Sequence, residues 1–231
     1  MGSPRLKDPA AVDPPYLYPR YRSTVLRAPR QPLVQVPREL QRAPGPVFWG
    51  PLDPQDSDLT RQHSGEPLGE RIILTGRVLD GEGRPVRHTL VEIWQANAAG
   101  RYAHPEDRHP APLDPNFTGA GRCLTDGEGR YRFVTVKPGA YPWRNHLNAW
   151  RPAHVHFSLF GPELGSRLVT QMYFAGDPLL AHDPIFQSVP MEPARRRLIA
   201  ELDMDTTEPE WALGYRWDIV LRGSASTPID L

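Results

Sequence analysis

The chain has 231 residues, enough for one large domain or two small ones and for a substantial buried core. Its 27 basic residues balance 27 acidic ones, which removes the electrostatic case for nucleic acid or an anionic membrane surface. The 28 prolines and 19 glycines favour strands and loops over long helices. The single cysteine, Cys123, excludes an intrachain disulfide framework and fits a reducing, cytoplasmic setting. No apolar stretch follows Met1-Gly2-Ser3-Pro4-Arg5, so no signal peptide is expected. No run approaches the ~18 apolar residues of a membrane span.

Residues 1–70 are Pro-rich and lack helical periodicity. A solvated tail would have this composition. The interleaved Leu33, Val34, Val36, Val47, Phe48 and Trp49 point instead to an extended arm that packs on the core or on a partner chain. From Arg71 onward, residues 71–231 read as one domain. Ile72 to Leu79 and Thr89 to Trp94 are expected strands, with the turn Asp80-Gly81-Glu82-Gly83-Arg84 between them. The same turn recurs as Asp126-Gly127-Glu128-Gly129-Arg130 before a strand from Tyr131 to Val136, and such turns suit antiparallel pairs. Further strands are expected from Val155 to Phe160, Leu168 to Phe174 and Tyr215 to Leu221. A helix is expected from Pro193 to Leu202. The fold class is therefore all-β: a β-sandwich core with one or two short helices. Its long connections, Ala96 to Arg122 and Lys137 to Trp150, are the natural places for function.

The chemistry concentrates in Trp150-Arg151-Pro152-Ala153-His154-Val155-His156-Phe157. Alternate positions on a strand share a face, so His154 and His156 can offer two imidazole nitrogens to one ion. A solvated strand face would also explain an isolated pair. The alternating Val155 and Phe157 and the stiff, apolar approach through Trp150, Pro152 and Ala153 favour the buried alternative. Tyr102 and Tyr141 lie in the two long connections. Each alone reads as an aromatic with a hydrogen-bonded hydroxyl. As ligands they would have to be phenolates, and a phenol with a pKa near ~10 ionises at neutral pH only beside a strongly Lewis-acidic metal. Ferric iron, hard and tolerant of mixed nitrogen and oxygen donors, is the natural candidate.

Four stretches carry a resemblance beyond these residues: Leu90-Val91-Glu92-Ile93-Trp94-Gln95-Ala96-Asn97, Leu113-Asp114-Pro115-Asn116-Phe117, Lys137-Pro138-Gly139-Ala140-Tyr141-Pro142-Trp143-Arg144-Asn145, and Trp150 to Phe157. On them the chain resembles the intradiol ring-cleaving dioxygenases from about Tyr21 to Gly223. The resemblance implies one mononuclear non-heme Fe(III) per chain, with Tyr102 and His154 as equatorial and Tyr141 and His156 as axial ligands. It implies cleavage of a catechol between its two hydroxylated carbons by O2. Tyr141 would leave the metal and act as an internal base. Arg151 would stabilise negative charge on the substrate, positioned by Gln171. Trp143 and Ile185 match pocket positions, and Tyr21 matches a tyrosine that contacts a substrate carboxylate. Trp94 reads mainly as core. The Pro-rich arm, in place of a helical dimerisation segment, favours protocatechuate over catechol or hydroxyquinol. It also favours assembly with a homologous α chain lacking the iron ligands, in a larger symmetric oligomer.

His104, His109 and His182 are read as solvated, and Cys123 as a small packing residue. Two other functions compete. A zinc hydrolase would use His154 and His156 with a carboxylate, yet no suitably spaced carboxylate accompanies them. A non-enzymatic β-sandwich binding module would suit Gly76 to Asp80 with Pro85-Val86, and would leave the tyrosine–histidine set unexplained.

Overall fold

The computed structural model describes residues 12–34, 48, 50–145, 147, 150–161, 164 and 167–230. Val36, Val47 and Trp49 of the expected arm lie outside the described residues. Eleven strands are present among those described: β1 (Arg71–Leu79), β2 (Leu90–Trp94), β3 (Ala120–Leu124), β4 (Arg130–Val136), β5 (Tyr141–Pro142), β6 (Trp150–Arg151), β7 (His154–Phe160), β8 (Leu168–Phe174), β9 (Ile199–Leu202), β10 (Leu213–Arg216) and β11 (Ile219–Val220). The α-helices are single short pieces: α1 (Ser23–Arg27), α2 (Pro184–Ser188) and α3 (Glu192–Arg196).

Nine strands form one hydrogen-bonded path in the order β11-β1-β10-β9-β8-β7-β2-β3, with β4 added on β1. Strands β3 and β4, far apart on this path, come together in space, so the sheet curls almost closed around its core. The all-β expectation holds, and the curled sheet carries parallel pairs beside the expected antiparallel ones. β1 runs parallel to both β10 and β11, and β8 runs parallel to β9. Alternation sets the inside. On β7, Val155, Phe157 and Leu159 are fully buried, as are Ile72 and Phe133 on β1 and β4. An edge-on aromatic group of Tyr131, Phe133, Phe157 and Trp217 fills the middle.

Three expectations change. The helix expected from Pro193 to Leu202 ends at Arg196, and Ile199–Leu202 is β9. The slot between β8 and β10 decides this: Tyr173 and Phe174 pair with Ile199 and Ala200, and Tyr215 pairs with Leu202, which outweighs local helix propensity. The strand expected from Tyr215 to Leu221 is split around Trp217, whose N–H donates to Thr75 O at 2.8 Å. Both Asp-Gly turns form with the same chemistry. Asp80 and Asp126 each accept two backbone N–H bonds through Oδ1, and Gly83 and Gly129 take positive φ. Neither closes a main-strand hairpin: β1 pairs with β4 rather than β2, and β4 does not pair with β3.

Parts of residues 1–70 pack on the core, while Leu17, Leu26, Leu33 and Val34 are exposed. Leu59 is fully buried and its N–H donates to Val134 O at 2.8 Å. Val12 joins the core. Among the described residues no helix is long and apolar enough to cross a membrane.

Candidate metal centre

Register brings the site together on one face of the sheet. Across β7 and β8, His154 stands opposite Tyr173 and His156 opposite Gln171. Across β2 and β7, Trp94 stands opposite His156, and their rings stack at 4.7 Å and 4°. In the β5–β6 ribbon Tyr141 pairs with Arg151. The two long connections meet backbone to backbone at Gly100 and Gly139. Gly139 N donates to Asn97 O at 3.0 Å, and Gly100 sits at φ +77° with Ala140 O where its Cβ would be. No other residue allows that approach, and it sets the Tyr102 and Tyr141 rings 5.4 Å apart, edge to face. Asn97 Oδ1 ties the first loop by accepting from Ala99 N and Arg101 N, and Asp107 Oδ2 accepts from Tyr102 N at 2.8 Å. Buried Gln95 braces the strand end through Val136 O and Thr135 Oγ1.

Tyr102, Tyr141, His154 and His156 thus converge. The imidazoles lie 4.9 Å apart, Tyr141 is 5.4 Å from His154, and Tyr102 is 6.5 Å from His156 between ring centres. His154 Nδ1 lies 2.7 Å from Pro152 O, which makes it the protonated nitrogen and leaves the Nε2 lone pair facing the site. Nε2 meets Tyr141 Oη at 3.3 Å and Arg151 Nη1 at 3.0 Å. Tyr102 Oη and His156 Nδ1 are buried and make no hydrogen bond of acceptable geometry among the described residues. Orphaned buried polar atoms are costly, and here they belong to a ligand-type set. Burial, then Arg151, holds His154 well below the usual histidine range; burial, His154 and Arg151 do so at His156. Both imidazoles are therefore neutral donors. Burial and the neighbouring Tyr141 push the Tyr102 phenol well above its ordinary range. It ionises only if a strong cation binds beside it. The donor set fits a hard, strongly Lewis-acidic ion. Among the described residues no third His, Cys, Asp or Glu joins the histidines in a cluster.

Arg151 is 2% exposed. Its Nε and Nη2 meet Asp183 at 3.3 and 2.9 Å, and Nη2 also donates to Gln171 Oε1 at 2.7 Å and lies 3.0 Å from Tyr173 Oη. Its plane lies over Trp143 at 5.2 Å. Burial opposes the charge, but Asp183, Tyr173 and Tyr141 outweigh it and hold the guanidinium above its ordinary range. Nη1 is left pointing into the site. Asp183, fully buried, also caps α2. Asp183 and Tyr173 were not singled out by sequence. The Asp183-Pro184 pair, a helix-start signal, was the available cue.

A cleft of about 820 Å³ opens before the cluster, lined by Trp94, Tyr102, Tyr141, Trp143, Arg144 and His109 among others. Tyr21 packs edge-on against Trp143 at 5.2 Å, because α1 is anchored on Asn145 through Arg22 N and Ser23 N. Ile185 lines a separate small cavity behind Gln171. Trp94 lines the cleft as well as packing on His156. His104 and His182 are exposed, while His109 is half-buried against Trp150.

A family model described as "Dioxygenase" matches residues 43–223, and one described as "Protocatechuate 3,4-dioxygenase beta subunit N terminal" matches residues 7–39. The protocatechuate 3,4-dioxygenase beta chain of Burkholderia cepacia is 61% identical over 100% of both chains. The chain belongs to the intradiol ring-cleaving dioxygenase family. Within it, the protocatechuate 3,4-dioxygenase alpha chain of Pseudomonas putida is 32% identical over 69% of this chain and 75% of its own. The solved catechol 1,2-dioxygenase of Pseudomonas arvilla C-1 superposes with a TM-score of 0.53 at 26% identity, covering 72% of this chain and 55% of that one.

Proposed function

We propose that this chain is the iron-holding β subunit of a protocatechuate 3,4-dioxygenase. It cleaves protocatechuate with O2 between its two hydroxylated carbons to 3-carboxy-cis,cis-muconate, a step of aromatic catabolism in the β-ketoadipate route. The observation that carries this reading is the convergence of Tyr102, Tyr141, His154 and His156 in one cluster at the cleft, with Arg151 Nη1 aimed into it. These four side chains would hold one ferric ion. Bound there, the ion would supply the Lewis acidity that ionises phenols and chelates both catechol oxygens.

The chain's own groups do the rest. Tyr141 Oη, at the cleft wall, would be a phenolate beside the ion and would then take a proton from a substrate hydroxyl, becoming a neutral phenol. Arg151, immobilised by Asp183, Gln171 and Tyr173, presents a fixed positive charge to the ring carbon on which negative charge develops. Its order is set before substrate arrives, so no reorganisation accompanies the reaction. Trp143 supplies an apolar wall, Ile185 supports the pocket from behind Gln171, and the Tyr21 hydroxyl meets the substrate carboxylate. Residues 1–70 act as the arm and residues 71–231 as the catalytic domain. The arm exposes Leu26 at 82% and Val34 at 89%, surface suited to a homologous α chain. That chain completes the pocket in a larger symmetric oligomer. The lone cysteine and the absence of disulfides favour the cytoplasm.

The test is turnover by the protein assembled with its α chain and loaded with iron. One O2 consumed per protocatechuate, with 3-carboxy-cis,cis-muconate as product, is expected. Preferential turnover of catechol or hydroxyquinol would move the chain to another branch of the family.

A further inference from the structure

The C-terminal tail approaches the arginine from behind. After β11, Thr227 N donates to Val220 O at 2.8 Å, Thr170 Oγ1 donates to Pro228 O at 2.7 Å, and Asp230 N donates to Val169 O at 2.8 Å. These bonds pin Thr227 to β11 and lay residues 228–230 along β8. The N-terminal arm holds them there: the buried Asp13 accepts from Ile229 N at 3.2 Å. The tail so held delivers the Asp230 carboxylate to Gln171, whose Nε2 donates to Asp230 Oδ2. Pro228, Ile229 and Ile185 enclose the contact.

Gln171 bridges this carboxylate and Arg151. Its Oε1 accepts from Arg151 Nη2 at 2.7 Å and lies 3.0 Å from Tyr173 Oη. A primary amide has a donor end and an acceptor end of nearly the same shape. Turned over, Gln171 would set an NH2 against the guanidinium and leave Arg151 one acceptor short. A carboxylate on the far side accepts the amide's N–H and so fixes which end faces the arginine.

We propose that Asp230 is a positioning residue for ring cleavage, acting through Gln171 to keep Arg151 aimed at the substrate, and that the tail is thereby part of the active site. The proposal rests on Arg151 being the charge-stabilising group of the reaction. It gives the meeting of the two chain ends, Asp13 with Ile229, a functional consequence.

The experiment compares Asp230→Leu, Asp230→Asn, Gln171→Leu and the Asp230→Leu/Gln171→Leu double variant, each assembled with the α chain. Iron content, visible colour, Tm, kcat per bound iron and KM are read. Asp230→Leu should lower kcat per iron about tenfold while KM stays within about threefold and colour is kept. Asp230→Asn, which still offers an acceptor oxygen to Gln171 Nε2, should recover most of the loss. The double variant should be no worse than Gln171→Leu alone. An unchanged kcat per iron in Asp230→Leu, or losses that multiply in the double variant, would overturn the proposal. If Asp230→Leu does not fold, the Gln171→Glu variant decides. It sets two carboxylates together and should lose kcat, and adding Asp230→Asn should restore a large part. Failure to restore it would overturn the proposal. An unsubstituted protein without iron colour would overturn the reading of the site itself, and this proposal with it.

Discussion

Replacing Asp183 by alanine isolates the electrostatic support of Arg151. Both partners are buried, at 2% and 0% side-chain exposure, and the carboxylate makes two contacts to the guanidinium, at 3.3 and 2.9 Å. Removing one partner of such a pair strands a buried charge, at a cost of about 3–5 kcal/mol. The same carboxylate caps α2 and accepts from Tyr173 Oη at 3.1 Å. A lost cap alone costs about 1 kcal/mol. These terms share one group and do not simply add, so about 4 kcal/mol is expected in total. For a domain of this size each kcal/mol shifts Tm by about 2–4 °C, which gives a fall of roughly 8–16 °C. The assay is thermal unfolding by circular dichroism, at fixed protein and iron concentrations because bound ligands shift Tm. Asp183→Asn should fall roughly half as far, because it keeps the cap and an acceptor oxygen. A shift under about 3 °C for Asp183→Ala would refute the argument, since another group would then be carrying the charge.

Arg151→Leu should keep iron and colour while kcat falls by about a hundredfold to a thousandfold, the usual cost of losing a preorganised charge donor; near-normal turnover would reduce the arginine to scaffolding. Tyr102→Phe removes a buried hydroxyl that makes no good hydrogen bond, so the iron-free chain should be no less stable, or more stable by about 1 kcal/mol, while the holoprotein loses colour and iron affinity. A colour unchanged by the substitution would remove Tyr102 from the ligand set. Burial pushes the Cys123 thiol up to about 12, so at pH 8 the folded chain holds far less thiolate than an unfolded one near ~8.5. Alkylation should be at least about a hundredfold slower in the native protein. Because the folded value is raised, this thiol's contribution to stability is full below about pH 8.5 and disappears as pH rises towards 12. Equal labelling of native and unfolded protein would contradict this.

The candidate ligand residues were legible in different ways: His154 and His156 by strand alternation, Tyr102 and Tyr141 only in company with them and through the family resemblance. The core of β7 was legible from the same alternation. β9 was not, because Ile199–Leu202 becomes a strand only through partners supplied by β8 and β10. β3 was hidden for a similar reason: Ala120-Gly121-Arg122-Cys123-Leu124 lacks strong strand formers and is held by pairing with β2. The second layer of the site was the least visible. Asp183 reaches Arg151 from 32 residues on and Asp230 reaches Gln171 from 59, so this network forms only once the sheet has curled and the tail has docked. A lone aspartate near a chain end gives no local sign that it will be buried against the arginine network.

The central claim is that two tyrosines and two histidines of this chain hold ferric iron and present it to a catechol. The most direct test is a visible absorption spectrum of the purified protein, before and after anaerobic addition of protocatechuate. A red-brown tyrosinate charge-transfer band that shifts when substrate is added is the predicted result. A colourless protein with iron demonstrably bound would contradict the ligand assignment.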